Sequence, residues 1–235
     1  MNEDIRDKIL EIFLSEKFSI DQFHKRLINY FADNPKLSKT AFPIIHSIKF
    51  RIKDINHLKE KLDRKDNSDN PITENNFFDR ITDLAGIRIL HLYPSHFEQI
   101  HNEIMSQTHA GEWFLFEPPI AYTWDPVLEK IFKGLEINTE IKESYYTSVH
   151  YILMPQKISK IKCEVQVRTL FEEIWGEIDH SMSYPKKSDS VSCIEQLKVL
   201  SSLSATGSRL LESILKSKNE YEFLSINIRE TQSLL

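Results

Sequence analysis

The stretch CEVQVRT, residues 163–169, alternates apolar and polar side chains from residue 163 to residue 168. The polar side chains are those of Glu164, Gln166 and Arg168. Because successive side chains of a β-strand point to opposite faces of a sheet, the alternation predicts a strand with a carboxylate, an amide and a guanidinium in one row. That row is either the solvent-facing side of a sheet or a site for a charged ligand.

The patterns around this strand predict a mixed fold. Apolar residues at helical spacing predict two helices within residues 3–33, the second capped by Ser19 or Asp21. Strand patterns occur within 43–53, 84–93 and 113–117 and twice within 141–169, and a proline-broken loop follows residue 117 as far as 124. Further helices are predicted at 55–65, 95–107, 125–135, 170–184 and 190–217.

This order of elements predicts an α+β fold with a central mixed β-sheet, flanking helices and a helical C-terminal tail. We expect one domain over residues 1–188 and a helical extension over 189–235. The apolar positions of the tail predict that it covers the first domain or packs against another subunit, so a homo-oligomer is one expectation.

Composition limits the classes of protein that need to be considered. Hydrophobic residues make up 40% of the chain, which is enough for a packed core. The formal charge of -5 argues against a broad electrostatic surface for nucleic acid, while a local basic cleft stays compatible with it. The two cysteines form no metal or redox motif. Without a membrane-spanning run or a signal pattern, we expect a soluble cytoplasmic protein.

Basic side chains recur in the segment RIKDINHLKEK, residues 51–61. Arg51 and Lys53 share one parity of a predicted strand. Lys53, His57 and Lys61 then recur every four residues, which places them on one face of a helix. The pattern is that of a solvated basic face or of a site for an anion.

Two further segments place polar groups where a strand does not need them. Asp83 precedes an apolar strand, and Arg88 lies within that strand, where a buried guanidinium requires a partner such as Asp83 or Glu164. In YYTSVHY, residues 145–151, Tyr146, Ser148 and His150 alternate onto one face, and His150 is either a hydrogen-bonded structural residue or part of a site.

Together these segments suit a polyphosphate held with a divalent cation. Mg²⁺ prefers one or two carboxylates, here Asp83 and Glu164, plus phosphate oxygens. Lysine and arginine neutralise phosphate charge, and arginine also stacks on bases. The sequence contains no glycine-rich phosphate loop and no dinucleotide-binding or zinc-protease motif, so we expect nucleotide to bind on a sheet face.

At this point the segments resemble the synthetase domain of RelA/SpoT-type alarmone synthetases. The matching elements, in the family's order, are R-x-K-x-x-x-[S]-x-x-x-K at Arg51, Lys53, His57 and Lys61, D-x-A-G-[IV]-R at 83–88, Y-x-S-x-H at 146–150, E-x-Q-x-R-T at 164–169, and W-x-x-x-x-H-x-x-x-Y at Trp175, His180 and Tyr184. The chain lacks the His-Asp dipeptide of the family's hydrolase half and therefore resembles a small, single-domain synthetase.

The resemblance implies a nucleotidyltransferase-like fold and a GTP pyrophosphokinase. Such an enzyme moves the β,γ-pyrophosphate of ATP to the 3′-hydroxyl of GDP or GTP, makes (p)ppGpp and releases AMP. By resemblance, Arg51 and Arg88 enclose the adenine, and Asp83 and Glu164 hold Mg²⁺, with Glu164 also accepting the hydroxyl proton. The remaining residues implied are Lys53, His57 and Lys61 at the ATP phosphates, Tyr146 on the acceptor guanine, Lys142 at the acceptor phosphates, and His150, Gln166 and Arg168 along the cleft.

The acceptor side departs from the family pattern. Ser144 and Tyr145 stand where asparagine and glycine are usual, and glycine allows a positive φ that tyrosine adopts at a cost. Two alternatives therefore stay open: a toxin-type member that pyrophosphorylates the tRNA 3′ end, and a regulatory or binding paralogue without turnover. In the first case, lysines outside the cleft would contact the tRNA backbone or simply be solvated: Lys157, Lys160, Lys162, Lys186 and Lys187.

Overall fold

The computed structural model describes residues 1–183 and 190–233, with the side chains of 183 and 226–233 left out. The predicted positions Tyr184, Lys186 and Lys187, and the predicted domain boundary at 188, lie outside the described residues. In the described part the helices are Glu3–Asp33 (α1), Ile55–Lys65 (α2), Phe77–Arg80 (α3), His96–Ala110 (α4), Pro126–Gly134 (α5), Leu170–Ser183 (α6) and Val191–Ser233 (α7).

One mixed sheet contains all the strands of the described residues. They are Ser47–Ile52 (β1), Ala85–His91 (β2), Phe114–Leu115 (β3), Ile120–Thr123 (β4), Asn138–Ile141 (β5), Ser148–Met154 (β6) and Cys163–Thr169 (β7). Their order is β1-β2-β7-β6-β4-β5, and β3 pairs with β6. The β2–β7 and β4–β5 pairs are parallel and the others antiparallel. The α+β prediction, with a mixed sheet and a helical tail, is confirmed.

The sheet has one apolar face and one polar face. Helices α1 and α4 cover the apolar face, where Phe13, Ile87, Ile104 and Val165 are completely or almost completely buried. His24 of α1 contacts the Gly86 carbonyl oxygen through Nε2 at 3.1 Å, which ties the helix to β2. The polar parity of the central strands faces the other way, toward α6.

The first helix differs from the prediction of two helices. Ser19 and Asp21 lie inside a single helix of 31 residues. The buried positions continue through this region, since Phe13, Ile20 and Leu27 recur every seven residues and are each at most 1% exposed. Asp21 pairs with Lys25 at 2.6 Å and caps nothing, so continuous core contact outweighs the local capping preference.

A second difference concerns the predicted loop after residue 117. Residues Ile120–Thr123 form strand β4, between β6 and β5. The local pattern around the prolines hides this strand, because its backbone hydrogen bonds come from segments distant in the sequence.

A reciprocal cap directs the chain from β7 over the polar face. The Glu172 carboxylate accepts from the Thr169 amide at 2.6 Å, and the Thr169 hydroxyl accepts from the Glu172 amide at 3.2 Å. This arrangement is a capping box, which satisfies amides that the first turn of a helix leaves unpaired. Helix α6 therefore begins directly at the end of β7 and runs back over the sheet.

Helix α7 extends beyond the predicted end at residue 217 and packs along α6. The Trp175 indole donates to the Leu197 carbonyl at 2.9 Å. A Cβ at Gly207 would lie 2.7 Å from the Phe171 ring, so this glycine lets the two helices approach closely. Among the described residues, no helix combines the length and the apolar character needed to cross a membrane.

Candidate active site

The register of the sheet gathers the polar side chains into two rows. Arg51, Gly86 and Glu164 are directly opposite one another on β1, β2 and β7. The adjacent row, on the same face, contains Lys49, Arg88, Gln166 and His150. Because paired residues point to the same side of a sheet, segments more than 100 positions apart in the chain contribute to one surface.

A cleft of about 290 Å³ lies on this face between the sheet and α6. Its lining includes the cationic Arg51 and Arg88, the acidic Glu164 and Glu177, and Gln166 and His180. Glu164 and Gln166 of β7 therefore both face a cleft and not the open solvent. Gly86 lies between Arg51 and Glu164, and its missing side chain leaves the floor open.

Glu164 is held by two neighbours. His150 Nδ1 lies 3.0 Å from Oε1, and the Gln166 amide donates to Oε2 at 2.9 Å. Burial favours the neutral carboxyl group, but the interaction with His150 and the Gln166 hydrogen bond outweigh it and hold the pKa of Glu164 below its ordinary value. The carboxylate is therefore ionised at neutral pH and able to accept a proton.

A chain of hydrogen bonds continues from Glu164 through His150. His150 Nε2 lies 2.9 Å from the Tyr146 hydroxyl oxygen, so one imidazole links Tyr146 to Glu164. Tyr122 packs edge-on against His150, with 4.8 Å between ring centroids. The tautomer that donates at Nδ1 or Nε2 decides the direction of each bond.

Asp83 forms a compact cluster with two lysines at the end of β1. Its Oδ2 accepts from Lys61 at 2.6 Å and from Lys53 at 3.0 Å. Burial opposes ionisation of Asp83, yet the two ammonium groups outweigh this effect and lower its pKa to about 2. Burial also lowers the pKa of Lys53, because Asp83 offsets its desolvation only in part. His57 turns instead to Asp54, the N-cap of α2.

The surroundings of Asp83 fit a divalent cation. Its Oδ1 is buried and has no hydrogen-bond partner among the described residues, so it is available as a ligand. Glu164 is near enough for the charge of Asp83 to raise its pKa, and Glu164 pairs with Gly86, three residues after Asp83. No group of three metal-binding side chains occurs in the described residues. A Mg²⁺ ion with two carboxylates takes its other ligands from phosphates and water.

Arg88 finds its partners on α6 and not in Asp83 or Glu164. Its Nη1 donates to Glu177 at 2.7 Å and to Glu173 at 3.2 Å. Lys49 reaches the same two carboxylates at 3.4 and 2.8 Å. The guanidinium of Arg88 therefore stands in the cleft with its orientation set by helix α6.

Arg168 is placed differently from Glu164 and Gln166, the other two polar side chains of β7. Its side chain is only 3% exposed and pairs with Glu173, and it does not line the cleft. Its guanidinium lies 5.7 Å from the centre of the Tyr146 ring, within the range of a cation–π contact. The structure therefore places the Arg168 guanidinium against the Tyr146 ring, which corrects the prediction that Arg168 lines the cleft.

The residues predicted for the acceptor side, Lys142 and Tyr146, lie around a group of aromatic rings. Lys142 pairs with Glu140, and its ammonium lies 4.4 Å from the centre of the Tyr122 ring. Tyr122 in turn lies 6.3 Å from Tyr146, centroid to centroid. Lys142 and Tyr146 thus lie on the side of the sheet toward β4.

Tyr145 adopts the backbone conformation that a glycine would favour, with a φ of 65°. A left-handed conformation costs a residue with a Cβ about 1–2 kcal/mol. Its ring packs on Trp124 at 5.0 Å between centroids, and Ser201 of α7 donates to its carbonyl oxygen at 3.3 Å. The left-handed turn is retained here without glycine.

Sequence reasoning missed four members of this surface, namely Lys49, Tyr122, Glu173 and Glu177. Lys49 shares the parity of Arg51, which was the available signal. The two glutamates lie four residues apart on the predicted helix after Thr169, so they share a helical face, but nothing local shows that this face meets Arg88.

The lysines considered for tRNA contact are not all free for that role. Lys162 is buried, and its ammonium donates to the Phe78 carbonyl at 3.1 Å and to Asp79 at 2.6 Å. It supports the core and is not a surface cation, which corrects that expectation. Lys160 pairs with Glu16.

Comparison with known proteins identifies the same architecture. The pppGpp-bound small alarmone synthetase 1 of Bacillus subtilis is 17% identical, with 88% of this chain and 96% of that one covered and a TM-score of 0.63. The AMPCPP-bound form is 16% identical, with 91% and 99% covered and a TM-score of 0.60. A GTP pyrophosphokinase family protein of Streptococcus pneumoniae is 17% identical, with 95% and 98% covered and a TM-score of 0.66. At these identities the likeness concerns the fold.

No curated protein matches the sequence at a significant level. A family model does match, over residues 50–189, and its description is "Region found in RelA / SpoT proteins". This match includes Arg51, Asp83, Glu164 and the capping box. The family match thus covers the residues that form the polar sheet face, and the chain belongs to the RelA/SpoT family.

Proposed function

We propose that this chain is a GTP pyrophosphokinase that transfers the β,γ-pyrophosphate of ATP to the 3′-hydroxyl of GDP or GTP. The observation that carries the proposal is the single sheet face on which Glu164, Asp83 and several cationic side chains converge. Solved structures of the same fold are bound to a product, pppGpp, and to an ATP analogue, AMPCPP, which supports a nucleotide as the ligand of this cleft.

The donor nucleotide fits the part of the cleft between β1, β2 and α6. Arg51 and Arg88 offer two flat cationic surfaces for the adenine. Lys53 and Lys61, at the end of β1 and on α2, neutralise the phosphates. Both lysines are held by Asp83 before any ligand binds, so their positions are set in advance.

The acceptor fits the side of Tyr146. The ring stacks on guanine, and Lys142 neutralises the acceptor phosphates. Glu164 takes the proton of the 3′-hydroxyl as the oxygen attacks the β-phosphorus, and the bond from that phosphorus to the α,β-bridging oxygen breaks, so AMP leaves with the bridging oxygen. Asp83 and Glu164 would hold Mg²⁺, which neutralises charge on the transferred phosphates. His150 and Gln166 fix the carboxylate that accepts the proton.

A transfer assay tests this proposal. The full chain is incubated with Mg²⁺ and ATP labelled at the terminal phosphate, with GDP, GTP or deacylated tRNA as acceptor. Label on a guanine nucleotide supports the proposal. Label on tRNA alone selects the toxin-type alternative, and no label on any acceptor selects the paralogue without turnover.

Substitution Glu164→Gln tests the role of Glu164 as the proton acceptor. The amide keeps the shape of the side chain but cannot accept the proton, and removal of a general base lowers the rate by about 10²–10⁴-fold. We expect this loss in kcat, and thermal unfolding of the variant shows whether the rate refers to folded protein. Near-normal transfer by the folded variant would contradict the role given to Glu164.

A further inference from the structure

One buried carboxylate contacts both Arg88, which lines the cleft, and Arg168, which lies against the Tyr146 ring. The side chain of Glu173 is 3% exposed and contacts cations from three strands. They are Lys49 of β1 at 2.8 Å, Arg88 of β2 at 3.2 Å, and Arg168 of β7. We call these four residues the Glu173 cluster. Burial opposes ionisation of Glu173, but the hydrogen bond from Lys49 and the charges of Arg168 and Arg88 outweigh it and lower its pKa.

Two of these cations serve different parts of the site. Arg88 lines the cleft beside Arg51, on the donor side. Arg168 lies beneath the Tyr146 ring, on the acceptor side. Each guanidinium needs a fixed partner to keep its place, and the Nε of Arg168 is buried without a hydrogen-bond partner among the described residues. The Glu173 carboxylate is the acceptor common to both.

We propose that Glu173 is a positioning residue that holds the donor-side Arg88 and the acceptor-side Tyr146, the latter through Arg168, in register with each other. This inference rests on the proposed function. It assigns to α6, directly after the capping box, the role of aligning the two substrates although Glu173 touches neither.

Two neighbouring residues allow each branch of the Glu173 cluster to be perturbed separately. Glu177 is half-exposed and contacts Arg88 and Lys49, so Glu177→Gln loosens the donor branch. A Cβ at Gly176 would lie 2.8 Å from Nη1 of Arg168, so Gly176→Ala displaces the guanidinium of the acceptor branch. Both positions lie on α6 beside Glu173, which makes them matched controls.

The test measures dissociation constants for AMPCPP and for GDP by calorimetry, with Mg²⁺ and the full chain. Loss of a hydrogen bond to a charged group corresponds to about tenfold or more in affinity. We expect Glu173→Gln to weaken both nucleotides by about that factor. We expect Glu177→Gln to weaken AMPCPP alone and Gly176→Ala to weaken GDP alone, by a smaller factor. Thermal unfolding of each variant confirms that the binding measurements refer to folded protein.

Because Glu173→Gln leaves buried cations unpaired, Glu173→Asp provides a second measure. It keeps the charge and shortens the side chain, so the folded protein should again lose affinity for both nucleotides. A folded Glu173 variant that binds both nucleotides like the wild type, or loses only one, would overturn the inference. So would a crystal structure of Glu173→Gln with Arg88 and Arg168 unmoved.

The failure of the proposed function would look different. It would appear in the wild type, as an absence of label on guanine nucleotides in the transfer assay. The Glu173 comparison depends on binding and side-chain positions, and both are measured without turnover.

Discussion

Gly86 provides the sharpest test of where the ligand lies. It stands between Arg51 and Glu164 on the polar face, and a Cβ built there would have Arg51 Cγ as its nearest neighbour, at 3.9 Å. That distance is an ordinary van der Waals contact. The protein itself therefore has room for a side chain at position 86, and a larger residue would extend into the cleft of about 290 Å³.

We expect Gly86→Ala and Gly86→Val to fold normally. Glycine inside a strand is about 0.5–1 kcal/mol less favourable than alanine, so the free energy of unfolding should stay equal or rise slightly. A ligand seated on Gly86 would instead meet the added methyl groups. Crowding of a packed site costs about 1–3 kcal/mol, so the AMPCPP dissociation constant should rise about tenfold for valine and less for alanine.

The assay pairs thermal unfolding with calorimetric binding of AMPCPP. Gly134→Ala is the matched control, since a Cβ there meets nothing within 4 Å and Gly134 lies on α5, away from the cleft lining. Wild-type affinity in a folded Gly86→Val protein would refute the placement of the nucleotide on this floor. A marked loss of stability in Gly86→Ala would refute the reasoning about space.

Three further outcomes follow from the same contacts. The folded-state pKa of Asp83 is lowered to about 2, so the stability that its ion pairs contribute is present above its ordinary pKa of 3.8 and is lost as pH falls toward 2. In denaturant titrations, the difference in unfolding free energy between wild type and Asp83→Asn should therefore shrink by about 2 kcal/mol from pH 5 to pH 2. A constant difference would contradict the ion pairs. At the left-handed position 145, Tyr145→Gly should be about 1 kcal/mol more stable than Tyr145→Ala, the reverse of the usual order, and a more stable alanine variant would show that the strain is absent. Gly207→Ala should lower the melting temperature, because the added Cβ would lie 2.7 Å from the Phe171 ring; an unchanged melting temperature would mean that the ring moves aside freely.

The predicted fold agrees with the structure wherever a local pattern and a core contact agree. The alternation in residues 163–168 and the apolar run at 84–93 became the parallel central strands β7 and β2. The prediction of two N-terminal helices was wrong because capping preferences at Ser19 and Asp21 are worth less than an unbroken buried face. Strand β4 was missed because its partners, β5 and β6, are distant in the chain.

The candidate site divides in a similar way. The predicted shared face of Glu164 and Gln166 agrees with strand β7. The predicted helical face of Lys53, His57 and Lys61 does not form, because Lys53 precedes helix α2, yet Lys53 and Lys61 both contact Asp83. His57 has the same spacing but turns to Asp54, since the nearest carboxylate is that of the helix cap. The assignment of nucleotide-binding roles to these residues stays a prediction.

By itself, the sequence determined which side chains share a face, because strand and helix periods follow from backbone geometry alone. It also indicated where α6 begins, since the helix predicted from residue 170 starts at Leu170. Only the tertiary structure decided which faces meet: the partners of Arg88 and Arg168 on α6, and the burial of Lys162. Those pairings depend on sheet register and helix direction, which arise from contacts among segments far apart in the chain, and no local period encodes them.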